Sequence, residues 1–514
     1  MNPVIRALLE EEIRPGADLD QCLSQIEQLV ERYRDVIEPP RGAGRPADGL
    51  HLDETDTVLI ADGDQFRGPD GPSLRYLHRF LAEELDGHIT TVHVRQFGAS
   101  LRDDGPAAVD SRRNGPSAGL GCRDEIGAIG REFRLMADPG WPAQAGLIEL
   151  IDGALLCVAR GVQLIGLDSV ASVESQSDAA GPDHPGADAV TRLLRAVLSE
   201  IAPWVLIVTD HDPGHRQSVA VRGDGYRAWQ LVYNHALPVL TLDACIREDS
   251  AHLQRWARDL PQPSARTAFF NVQAAQERFG IPPLHGLLDA AELDLLARTV
   301  ESRGGRVAYT RTADGEQPSS MDIAWLSAVV DPNLPDELRA RVLLVSQSIM
   351  LCMAGVPGIS AHDLIGFTTR DDETEGTGGN QAFDRRAPTY ASLLDELNDG
   401  RSLQHRILED YKRLLRARAR AAAFHPTARQ DILPTPPPLY AVLRSNVQRQ
   451  STVLCLHNLG RDAATLEVPR DRIGTRDDRS FGDLISGDTL WPHWNPSGNA
   501  EITLEPYEIM WLRL

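Results

Sequence analysis

Gly161-Val162-Gln163-Leu164-Ile165-Gly166-Leu167-Asp168-Ser169 is an apolar run of strand length that ends on a carboxylate. A buried parallel strand reads as a near-continuous apolar run. An acidic side chain at the carboxyl end of such a strand is how barrel enzymes build their active sites. Alternation along a strand puts residues two apart on one side, so Gly166 and Asp168 share a face. An Asp in this position also serves as a cap or turn residue, so the reading depends on what flanks it.

The flanks alternate. Thr57 to Asp62 reads as a first strand, Leu74 to Leu85 as an amphipathic helix, and Ile89 to Val94 as the next strand. Residues 98–122 are rich in Gly, Asp and Ser and read as a loop. Beyond Asp124 come a helix, a strand from Phe133 to Ala137, a helix from Gly146 to Ala159 and the strand leading to Asp168. A helix over 188–201, a strand over 204–209 and a segment at Ala228–Leu240 continue the order. Strand and helix alternating in this way imply an α/β protein with a (β/α)8 TIM barrel. Residues 1–55 carry a helical pattern (Leu19, Cys22, Leu23, Ile26, Leu29, Val30) and a linker rich in Pro and Gly. Residues 56–427 are assigned to the barrel and 428–514 to a C-terminal antiparallel β-domain, with Pro434 to Pro438 as its boundary. In that last part Leu439–Leu443, Thr452–His457 and Glu501–Leu514 read as strands.

Composition narrows the class. With 514 residues, 42% of them hydrophobic, the chain can bury a large core. Ala202–Val208 and Val342–Met353 are too short or too interrupted to span a bilayer. No secretory leader pattern opens the sequence, and the six cysteines are scattered without a Cys-x-x-Cys pair. A cytoplasmic protein with reduced thiols is the expectation. A net charge of −22 argues against nucleic acid or an anionic membrane as partner.

Several motifs away from Asp168 resemble, in order and spacing, the sucrose phosphorylase group of the α-amylase superfamily, including its glucosylglycerate-phosphorylase-like members. They are Gly223-Asp224-Gly225, Tyr233-Asn234-His235-Ala236-Leu237-Pro238, Phe269-Phe270-Asn271, Gly355-Val356-Pro357-Gly358-Ile359 with His362, Ala423-Phe424-His425-Pro426 and Leu504-Glu505-Pro506-Tyr507. The resemblance covers residues 57–514. It implies Asp168 as the glycosyl-accepting nucleophile, Asp210 at the general acid/base position and Glu277 at the third carboxylate. Asp138, His211, Gln276 and His362 would line the sugar site. It implies no metal or organic cofactor, with an α-glucoside as ligand and inorganic phosphate as co-substrate of any remaining activity.

The sequence departs from that family where the chemistry lies. Gly166 stands where the family has the Arg that holds its nucleophile ionised. Pro142-Ala143 stands for Asn-His, Asp210 for Glu, and Gln276-Glu277 for His-Asp. Few residues separate Pro142 from the next helix, where the family inserts a small domain. Asp103-Asp104-Gly105 runs into Pro106 rather than Phe. Retaining glycosyl transfer needs two carboxyl groups about 5–5.5 Å apart, one ionised and one protonated. Neighbours set those states, and a shortened acid loses reach toward the leaving oxygen. The leading expectation is therefore a catalytically impaired, α-glucoside-binding or regulatory relative. The alternative is an active retaining α-glucosyl phosphorylase or transglucosidase with a rearranged site. A third reading is a partner subunit, in a homo- or hetero-oligomer with an active relative.

Other residues draw plainer readings. Asp210-His211-Asp212 with His215 fits no zinc spacing and reads as a polar loop. Glu277 beside Arg278 reads as a surface ion pair, and His93 on its apolar strand as a core histidine. The Gly-rich Glu375–Gly379 neither follows a strand nor opens a helix and reads as a loop. Ser169 faces away from Asp168 and lacks a nucleophile-elbow context. His362 lines the pocket or caps a turn.

Overall fold

In the computed structural model the described residues are 3–12, 19–40, 50–95, 123–139, 146–167, 187–209, 229–274, 278–281, 284, 286–312, 315–369, 389–448, 450–473 and 480–514. Eight parallel strands close a barrel: β1 Val58–Asp62, β2 Thr91–Arg95, β3 Arg134–Ala137, β4 Val162–Gly166, β5 Leu206–Thr209, β6 Leu231–Tyr233, β7 Ala268–Val272 and Val356–Ser360. The last strand pairs with both β1 and β7, which completes the ring. Strict alternation sorts the strand side chains into two cores. Ile60, Met136, Leu164, Val208, Phe270 and Val356 fill the barrel interior. Leu59, Val92, Val94, Leu135, Ile165 and Ile207 face outward and pack beneath the helices. Each inter-strand run is buried because both faces are covered, which is why these strands are almost wholly apolar in sequence.

Two N-terminal helices, α1 (Pro3–Glu12) and α2 (Leu19–Arg34), lie on the outside of the barrel against the helices Leu147–Ala159 and Ala187–Ile201. Ile5, Leu9, Leu23 and Ile26 merge into the outer core there. Tyr33 on α2 donates a 2.8 Å hydrogen bond to Asp152. Burial, then that hydrogen bond and the Asp152 charge, push the Tyr33 hydroxyl up to about 12. Between the seventh and eighth barrel strands sits a small antiparallel sheet that the sequence reading did not anticipate. Its strands are β8 Arg278–Gly280, β9 Arg306–Thr312 and β10 Gly315–Asp322, in the order β8-β10-β9.

The C-terminal part forms a six-stranded and a three-stranded antiparallel sheet. Two details differ from the sequence reading. The strand Arg429–Leu433 already pairs with Leu439–Ser445, so Pro434–Pro438 connects strands inside this sheet instead of preceding it. Glu501–Leu514 is two strands in different sheets, Ala500–Leu504 and Ile509–Arg513, separated by a turn in which Tyr507 adopts φ +55°. A short 3-10 turn at Ala422–Phe424 follows the helix Leu403–Ala419.

Buried Arg418 joins these parts. Its guanidinium donates to the carbonyls of Glu54, Asp56, Leu351, Gly355 and Phe424. The five acceptors come from the segment before β1, from the end of the helix Asp336–Cys352, from the entry to the last barrel strand and from the 3-10 turn. A planar cation with several N–H groups serves convergent carbonyls better than any neutral side chain. Among the described residues, no helix is long and apolar enough to cross a membrane.

Candidate active site at the barrel mouth

The carboxyl ends of the barrel strands carry the polar residues. Val92 and Val94 belong to the outer core, so His93 between them points into the barrel. Leu135 and Ala137 likewise face out, and Asp138, immediately beyond β3, turns in toward β2. His93 Nε2 donates to Asp138 Oδ2 at 3.1 Å, with the side chains 2% and 18% exposed. His93 is thus a buried histidine of the barrel interior, as expected, and it carries a hydrogen bond to a carboxylate. Burial pushes the Asp138 carboxyl up, but the charge and hydrogen bond of His93, with the charge of Arg95, hold it below its ordinary value. Asp138 therefore stays ionised at neutral pH.

The pair has a gap behind it. A Cβ built on Gly166 would collide with Asp138 Oδ1 and come within 3.2 Å of its Cγ and 3.5 Å of Met136 Cε. Glycine at the end of β4 is what lets the Asp138 carboxylate lean across from β3. The cost is visible in hydrogen bonding: His93 Nδ1 and Asp138 Oδ1 are both buried without a partner, which is expensive inside a protein.

The remaining mouth residues are structural in their contacts. His362 follows the last barrel strand in a short helix, Ala361–Leu364, whose cap is the Ser360 side chain accepting from the His362 N–H. The His362 ring lies tilted against Phe367 with centroids 4.7 Å apart. Asn271 is the next-to-last residue of β7 and fully buried. It accepts from Asn234 at 3.0 Å and donates to the Ala354 carbonyl at 3.1 Å, tying β6 and β7 to the entry of the last strand. Tyr233 stacks on His235 at 5.6 Å and meets Phe270 edge-on at 4.9 Å, an aromatic wall on the β6–β7 side. Asp62, at the end of β1, is also buried.

Of the residues assigned from sequence, the structure places Asp138 and His362, each at the carboxyl-terminal rim. Asp168, Asp210, His211, Gln276 and Glu277 lie outside the described residues, as do Pro142, Ala143, Asp212, His215 and Glu375–Gly379. The helix after β3 begins at Leu147, capped by Gly146, whose N–H donates to Glu149. His93 is the site residue that sequence reasoning missed. The signal was present, because His93 alternates with two apolar residues that face outward.

Comparison with known proteins agrees with this architecture. No family model matches the sequence. The chain is 32% identical to glucosylglycerate phosphorylase of Spirochaeta thermophila over 90% of both chains. It is 31% identical to the protein of the same name from Allomeiothermus silvanus over 74% of this chain and 81% of that one. Among solved structures, sucrose 6F-phosphate phosphorylase from Thermoanaerobacter thermosaccharolyticum superposes with a TM-score of 0.61 at 13% identity, covering 89% of this chain and 99% of that one. An α-amylase from H. orenii gives 0.59 at 13% identity, covering 89% of this chain and 99% of that one. At such identities the structural likeness establishes the fold alone. The extent and level of identity to the sequence relatives go further: this chain belongs to the glucosylglycerate phosphorylase family, within the α-amylase superfamily.

Proposed function

We propose that the protein recognises an α-glucoside of the glucosylglycerate class in carbohydrate metabolism, and that its glucosyl transfer is impaired relative to an intact phosphorylase. The observation that carries this reading is at residue 166. An arginine there would supply a fixed positive charge two residues before Asp168. Glycine supplies none, and the space beside it holds the Asp138 carboxylate, a negative charge. The substitutions at Ala143, Asp210 and Gln276 act in the same direction, because groups that work as a unit lose activity together.

A second reading is an active α-glucosyl phosphorylase with a rearranged site. It is supported by the name of the sequence relatives, which match along nearly the whole chain, and by retention of Asp168. The comparisons favour this reading, and the local chemistry at residue 166 favours the first. Inorganic phosphate is the co-substrate in either case. A reducing compartment such as the cytoplasm fits the five cysteines that form no disulfide among the described residues.

One assay separates the two. Purified protein is incubated with glucosylglycerate or sucrose, with and without inorganic phosphate, and glucose 1-phosphate is measured alongside ligand affinity. Impairment predicts binding with release slowed by about 10⁴-fold against an intact relative, the combined scale of lost acid reach and lost electrostatic positioning. Ordinary turnover that Asp168→Asn abolishes would establish the second reading instead.

A further inference from the structure

The two C-terminal sheets stack as a sandwich. Leu454, Leu456 and Leu512 of the six-stranded sheet share one core with Leu466, Ile502 and Leu504 of the three-stranded sheet. Val453, Cys455 and Trp511 point to the other side of the six-stranded sheet and join the core that includes the barrel helices. The three-stranded sheet, made of Ala464–Val468, Ala500–Leu504 and His493–Trp494, is therefore the outer layer. Its outer face is turned away from the barrel.

Alternation places Thr465, Glu467, Glu501, Thr503 and His493 on that outer face. Glu467 stands directly opposite Glu501, which on its other side stands opposite His493. Like charges across a strand pair destabilise a sheet, so folding alone does not account for the two carboxylates. His493 Nδ1 donates to Glu501 Oε2 at 2.9 Å, and Asn495 donates to Glu467 Oε2 at 3.1 Å. Both bonds use Oε2, which leaves Oε1 of each carboxylate for another donor. The alternation continues back from His493 through the crossing between the sheets. Trp491 is 68% exposed, while Leu490 and Trp494 turn inward onto the sandwich core. The Arg470 guanidinium covers the Trp494 ring at 5.9 Å. Trp491 is left as an open indole beside a row of hydrogen-bonding groups.

We propose that this face binds a neutral oligosaccharide, with one pyranose ring stacked on the Trp491 indole and hydroxyls of the chain donating to Glu467 and Glu501. A sugar ring presents an apolar C–H face, which suits an indole, and an edge of hydroxyls, which suits carboxylates and an imidazole. Two carboxylates repel a phosphorylated or nucleic-acid ligand. A protein partner needs an apolar centre around its anchor, and the described residues of this face offer the indole polar neighbours only. Three adjacent strands span about 10 Å, more than one ring, which fits an oligosaccharide and not a monosaccharide. The proposal uses no barrel residue and does not depend on the α-glucoside reading.

The test titrates maltoheptaose and cellohexaose, one α-linked and one β-linked, into the full chain by calorimetry. Wild type is expected to bind at least one of them, and the choice between them identifies the linkage. Trp491→Ala should weaken that binding about tenfold or more, the scale of one lost stacked aromatic, with an unchanged unfolding midpoint because the side chain is exposed. Trp491→Tyr should keep most of the affinity, and Glu467→Ala/Glu501→Ala should lose it. Glucose 1-phosphate release, whatever its rate, should be the same in wild type and Trp491→Ala, so this proposal and the α-glucoside reading fail separately. The proposal is overturned if neither sugar binds. It is equally overturned if Trp491→Ala binds as tightly as wild type, which would put the sugar elsewhere on the protein.

Discussion

The Asp138 carboxylate occupies the space that any side chain at residue 166 would enter, and His93 holds it there. Two strands, β3 and β4, thus share one pocket of volume at the barrel mouth. What fills it is a carboxylate paired with an imidazole.

Restoring arginine at this position should not restore chemistry by itself. Gly166→Arg is expected to lower stability by about 1–3 kcal/mol, the scale of overpacking a filled core, with glucose 1-phosphate release unchanged. Gly166→Ala should shift in the same direction by a smaller amount, since a lone Cβ already meets Asp138. Urea unfolding of the two variants measures this. A stable Gly166→Arg protein with faster transfer would show that Asp138 moves aside freely.

The Asp138 pair also sets an acid limit. The folded carboxyl titrates below its unfolded value, so the pair contributes stability that is present above the unfolded pKa of about 3.9. That contribution fades as pH falls through the folded pKa, because the unfolded state then binds more protons. Asp138→Asn should lose this part of the pH dependence, so wild type and variant converge at the acid end. Unfolding midpoints taken from neutral pH down to acid pH would show it. A constant gap across that range contradicts the assignment.

Breaking the pair from the other side is costlier. His93→Leu removes the hydrogen bond to the buried Asp138 carboxylate. A loss of about 3–5 kcal/mol is expected, the cost of an uncompensated buried charge. The double variant His93→Leu/Asp138→Leu should recover much of it. Double-mutant-cycle analysis of denaturant unfolding reads the coupling directly.

Arg418→Met tests the joint between the barrel and its C-terminal neighbour. Five carbonyls, four of them in buried hydrogen bonds, lose their donor. Each orphaned acceptor costs on the order of 1–3 kcal/mol unless water enters. The variant is expected to unfold at much lower denaturant, or to be recovered only as aggregate. Wild-type stability in Arg418→Met would mean that water replaces the guanidinium without penalty.

The barrel was legible in the sequence because its signal is local. Val162–Gly166, Leu206–Thr209 and Ala268–Val272 are apolar runs of strand length, each set between helix-patterned segments, and burial on both faces leaves that trace in composition. The three-stranded sheet at 278–322 left no such trace. Residues of β9 are largely exposed and those of β10 largely half-buried, and such strands carry no apolar run to read. Pro434–Pro438 looked like a boundary because proline interrupts pairing, yet a proline-rich connection between two antiparallel strands has the same composition.

The site divides in the same way. Sequence alone named Asp138 and Gly166 and showed that an arginine is missing from its expected place. It had no means of pairing His93 with Asp138, 45 positions apart along the chain. That contact arises from closure of the barrel, which sets β2 beside β3 and turns alternate residues inward. Tertiary structure alone decided that the vacancy at Gly166 is filled by a carboxylate from the neighbouring strand, because space between strands is a property of their packing and not of either one.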